Sequence, residues 1–211
     1  MVRKAALGVI GMFLSVAWVS PAAADEPMGP QDFRLYCGYL ESLQDPKIQR
    51  LKPKQQLAKI ARMAKVKAAK LRKIVERGEP LGDDCSKIMK AAEARIMAAL
   101  QETRVKGRVE FVEVSGAQWD QMVVRARWRG DEDRYLEEEA ATVAFVTYTE
   151  FPMVSELGVA AYNPADPDSA MFEGIISHTR LPNIQQARID TFADTRYIRL
   201  FDNKKFAKPR P

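Results

Sequence analysis

The hydrophobic period of this chain changes once, near residue 107, and that change limits the folds open to it. Before it, apolar residues recur three and four apart, as on one side of a helix. After it they alternate, as on one face of a strand. The pattern divides the chain into a helical region, 25–106, and a sheet region with helix, 107–211.

Three helices are predicted in the first region. Phe33, Tyr36, Cys37, Leu40 and Leu43 mark one that ends at Asp45-Pro46. A second spans Lys54 to Arg77 on a narrow stripe of Leu57, Ile60, Ala61, Ala64, Ala68, Leu71 and Val75, stopped by Gly78 and Pro80. A third starts at an Asp83 or Asp84 cap and runs to about Arg104, with Ile88, Met89, Ala92, Ile96, Ala99 and Leu100 inward.

In the second region strands are predicted at Val109–Val114, Gln121–Arg129, Glu156–Tyr162, Met171–Thr179 and Arg196–Phe201. A helix over Glu132–Phe151 and a short one around Asn183–Phe192 fall between them. The order strand–strand–helix–strand–strand predicts an α+β fold: a disulfide-tied helical part, then an antiparallel sheet covered by helix.

Residues 1–24 read as a signal peptide. Arg3 and Lys4 precede an apolar run from Ala5 to Ser20, then Pro21 and the small residues Ala22-Ala23-Ala24. The run falls short of the roughly 20 residues that span a bilayer. No later segment is apolar enough to do so, and an exported product, periplasmic or secreted, is expected. The two cysteines, Cys37 and Cys85, both follow the leader, and an oxidising compartment favours pairing them. Closing that loop of about 50 residues would stabilise the fold by roughly 4 kcal/mol. A metal site fits poorly: there is no CxxC and only one histidine.

Composition enters the argument through its distribution. The chain is 46% hydrophobic and 29% charged, which excludes global disorder. Its charges are segregated. Twelve Lys and Arg fall between Pro46 and Gly78, opposed only by Glu76, and the rest of the chain after the leader is net acidic. On one continuous helix, Lys59, Arg62, Lys70 and Lys73 cluster opposite the apolar stripe, a face that draws in anions. The expected partner is an acidic protein or a polyanionic envelope component. The segment has no aromatic residue, so neither base stacking nor deep membrane insertion is expected of it, and no specific nucleic-acid partner is expected. A solvated helix face is the plainer reading of the same charges.

Other features carry less. Asp131, Glu132, Asp133, Glu137, Glu138 and Glu139 suit the first turns of a helix, and they lack the spacing of a calcium loop. Arg125, Arg127 and Arg129 share one strand face, where they could read an acidic ligand or pair with Glu110 or Glu113 across the strand. His178 follows Ser177, but neighbouring strand residues face opposite ways. Neither GxSxG nor a glycine-rich phosphate loop is present, and no cofactor is expected. The expectation is a non-catalytic binding protein of a bacterial-type cell envelope. The alternative is an envelope hydrolase using carboxylates in a cleft between the two parts.

Overall fold

A computed structural model of the chain describes residues 28–116, 122–130, 135–180, 182 and 200–206. The leader therefore lies outside the described residues. Helix α1, Pro30–Ser42, begins with proline at its first turn, where the missing N–H costs nothing. The same device starts α2, Pro46–Gln49, and α3, Pro53–Met63.

The single helix expected from Lys54 to Arg77 is in fact two. Helix α3 stops at Met63, and α4 spans Ala68–Gly78. The residues between them form a Schellman turn. Lys65 has φ 55°, the Val66 N–H reaches back to Ala61 O at 2.9 Å, and the Lys65 N–H reaches Arg62 O at 3.1 Å. Burial is the cause. The turn lets Val66 pack against a small core of Ile48, Ile60, Ala61 and Leu71, which a straight helix would not reach. Helix α5, Cys85–Leu100, then starts on Asp84, whose side chain accepts from the Ser86 N–H at 2.9 Å.

Cys37 and Cys85 form a disulfide joining α1 to the first turn of α5, with Cα atoms 5.6 Å apart. The whole basic segment, α2 to α4, lies inside the loop it closes.

The remainder is a five-stranded sheet in the order β1-β2-β3-β4-β5: β1 Val109–Ser115, β2 Val123–Arg129, β3 Glu156–Asn163, β4 Asp166–Ser177 and β5 Asn203–Phe206. The α+β class is as expected, with one correction to the pairing. β2 and β3 run parallel, and the other three pairs are antiparallel. Helix α6, Leu136–Glu150, carries the chain back before β3, so the two strands it links point the same way.

The last strand also differs from expectation. Leu200 and Phe201 are described, are not strand and are buried, with Phe201 edge-on to Phe172 at 5.4 Å. Pairing with β4 instead begins at Asn203. The expected helix at 183–192 and residues 196–199 lie outside the described residues.

Helix α6 buries most of its circumference, packed between α5 and the sheet. Phe33 of α1 meets Phe151, at the end of α6, edge-on at 5.6 Å, and one hydrophobic core runs from α1 into the sheet. Among the described residues no helix is long and apolar enough to cross a membrane.

Candidate functional site

The basic lobe, α2 to α4, is held by few apolar groups. Its own core is four buried side chains: Ile48, Ile60, Ala61 and Leu71. Helix α4 is fixed to α1 beyond that core through Ile74 and Gly78, where a Cβ would fall 2.5 Å from the Tyr36 ring. The charges lie outside. Lys59, Arg62, Lys70 and Lys73 are all exposed. They do not form one stripe, because Lys59 and Arg62 belong to α3 whereas Lys70 and Lys73 belong to α4.

Asp32 of α1 takes up part of the charge. It bonds Arg77 and lies 4.0 Å from Lys70. The far side of α4 has a different composition. Ala69, Arg72 and Lys73 stand at i, i+3 and i+4 and are exposed, so they share one outward face. Arg72 is absent from the sequence-derived cluster because a wheel drawn through an unbroken helix gives α4 the wrong phase. No local signal marks the break, because Ala64, Lys65 and Lys67 all favour helix.

In the sheet half several charged side chains are engaged. Glu139 is 3% exposed, accepts from Trp128 Nε1 at 2.7 Å and bonds Arg108. Glu137 takes Lys204 at 2.5 Å. The acidic run at the start of α6 thus spends two of its carboxylates holding the fold. Asp131, Glu132 and Asp133 lie outside the described residues.

The arginine face of β2 is a ladder of pairs. Arg127 contacts Glu110 at 2.6 Å and stacks 3.6 Å over the Tyr162 ring, while Arg125 lies 3.8 Å from Glu113. Beside it, Gly158 and Ala160 floor a trough of about 350 Å³ on the sheet face away from α6.

His178 is held at its ring: Nδ1 lies 3.0 Å from Val154 O. Nearby, Asp202 accepts from the Ser177 N–H at 2.6 Å and from Arg180 at 2.8 Å. Partial burial would raise its pKa, but these hydrogen bonds outweigh it and hold the carboxyl below the usual range. Burial, helped by the charges of Asp202 and Glu156, pushes the Tyr148 hydroxyl well above its ordinary value, and that group donates to Ile176 O at 2.9 Å.

A groove of about 840 Å³ does lie between the helical and sheet halves. It carries Glu76 and Glu150, but also Lys73, Arg77 and Arg95, with Arg95 4.0 Å from Glu150. Among the described residues no group of three or more His, Cys, Asp or Glu could hold a metal ion.

Comparison of the chain with protein-family models, with curated proteins and with solved structures found no match.

Proposed function

We propose that this protein is an exported, non-catalytic binding protein whose basic lobe holds an acidic partner or polyanion. One observation carries the reading: twelve cations lie on α2 to α4 and the residues beside them, and among the described residues their only ionic partner is Asp32. Concentrating like charge on short helices costs stability, which a bound anion would relieve. Export is supported by the leader pattern at 1–24 and by a disulfide of the kind that persists in oxidising compartments.

The test is binding of a polyanion, polyaspartate or heparin, across a salt series. Replacing Lys59, Arg62, Lys70 and Lys73 by Gln lowers affinity at least tenfold and flattens the salt dependence. Unchanged affinity in that variant removes the lobe from the function. The rival hydrolase reading draws on Glu76 and Glu150 in the junction groove. It ranks second because three cations line the same groove, with Arg95 4.0 Å from Glu150, and no pair of carboxylates stands apart from them.

A further inference from the structure

Which polyanion the lobe fits depends on its shape, and here the break in the basic helix matters. Helices α3 and α4 are joined by four residues, 64–67, with Lys65 in the left-handed region. They share a core through Leu57, Ile60 and Ala61 of α3 and Leu71 and Val75 of α4. Each is also held from outside the pair. Gln56 of α3 donates to Ile48 O of α2 at 3.2 Å, while the far end of α4 is seated on Tyr36 of α1. Two helices joined by a three- to four-residue turn, the second supported from behind and exposed in front, have the connection of a helix-turn-helix unit.

From this geometry, and resting on the reading of the lobe as the binding surface, we propose that the anion is double-helical DNA. Helix α4 would enter the major groove. Its 11 residues make a rod about 16 Å long, and the major groove, about 12 Å wide, admits one α-helix. Small Ala68 and Ala69 at the exposed start of α4 allow close approach to base edges, and Arg72 flanks Ala69 on the same face, whose far edge carries Lys73 and Glu76 toward the junction groove. Lys54, Lys59 and Arg62 on α3 are exposed and would lie along the phosphates, whose neutralisation supplies most of the affinity. The lack of aromatic residues, which argues against single strands, does not count against a duplex, because its bases stay stacked on each other. For an exported chain the ligand would be DNA outside the cytoplasm.

Fluorescence anisotropy of the oxidised protein, across a salt series, compares three probes of similar charge: a 20-bp mixed-sequence DNA duplex, a single strand of about 40 nucleotides, and polyphosphate of about 40 phosphates. The duplex is expected to bind about tenfold more tightly than either other probe, with a log–log salt slope of about −4 for four or five phosphate contacts. Two variants that each change the charge by one unit then separate shape from charge. Ala69→Glu, on the outward face of α4, lowers duplex affinity at least tenfold; Lys47→Gln, at the start of the lobe, lowers it about twofold. Circular dichroism checks that both fold. Equal affinity for duplex and polyphosphate, or equal losses in the two variants, overturns the proposal while leaving a basic polyanion-binding lobe. Failure of the unmodified protein to bind any of the probes overturns the duplex and counts equally against the lobe.

Discussion

The two halves of the molecule treat charge in opposite ways. In the sheet half, several ionic groups are tied into the fold: Glu139 between Trp128 and Arg108, Glu137 with Lys204, Asp202 with Arg180. In the lobe, cations stand on the surface over a four-residue core, and a disulfide closes the ends. The contrast shows where free energy is invested. A half whose charges are satisfied internally gains order and presents little for a ligand to neutralise. A half whose charges are left to solvent is less stable and keeps them available.

The strongest way to break this contrast is to make the sheet half behave like the lobe. Glu139→Ala leaves the buried Trp128 indole N–H without its acceptor and takes the carboxylate from the half-buried Arg108, which keeps the Arg104 and Arg129 carbonyls. The substitution should cost about 2–4 kcal/mol. Urea denaturation measures it. A loss below about 1 kcal/mol would mean that Arg108 and Trp128 find water or another acceptor, and that the buried pair is no better than a surface one.

Next comes the disulfide, whose removal should cost up to about 4 kcal/mol by loop-closure entropy. The sharper readout is local. In the Cys37→Ser/Cys85→Ser double variant, trypsin should cut first within 46–78, where its sites are dense, and leave a sheet fragment from about residue 107 onward. Simultaneous loss of both halves would show that the core running from α1 into the sheet makes them one cooperative unit.

The smallest effect concerns the turn itself. Lys65 holds a left-handed conformation that glycine adopts without a Cβ penalty, so Lys65→Gly should raise thermal stability slightly, by ~0.5 kcal/mol. A fall in Tm would mean that the Schellman geometry is not what ends α3.

Much of this architecture is legible in the residues. The change of period near 107, the cysteine pair, the Asp84 cap, and the faces of β2 with Val124, Ala126 and Trp128 inward all follow from spacing. The break in the basic helix does not. Ala64, Lys65 and Lys67 are good helix formers, and nothing among them signals a stop. Packing of the half-buried Val66 against the core of Ile60, Ala61 and Leu71, once α2 supplies Ile48, favours the turn. The candidate site suffered for the same reason. The sequence located the cations, but sorting them into an α4 outward face with Arg72 and a back side held by Asp32 required the turn. The parallel β2/β3 pair was likewise not read, because strand alternation reports which face is buried and is silent about direction.

Sequence by itself determined the class of elements, the disulfide and the concentration of positive charge, since these depend on residue type and local spacing. Tertiary structure decided where the long basic helix breaks, which carboxylates are consumed by the fold and which way α4 presents its cations. Those outcomes depend on contacts between residues far apart in the chain, where burial of a few apolar side chains outweighs the local preference for helix.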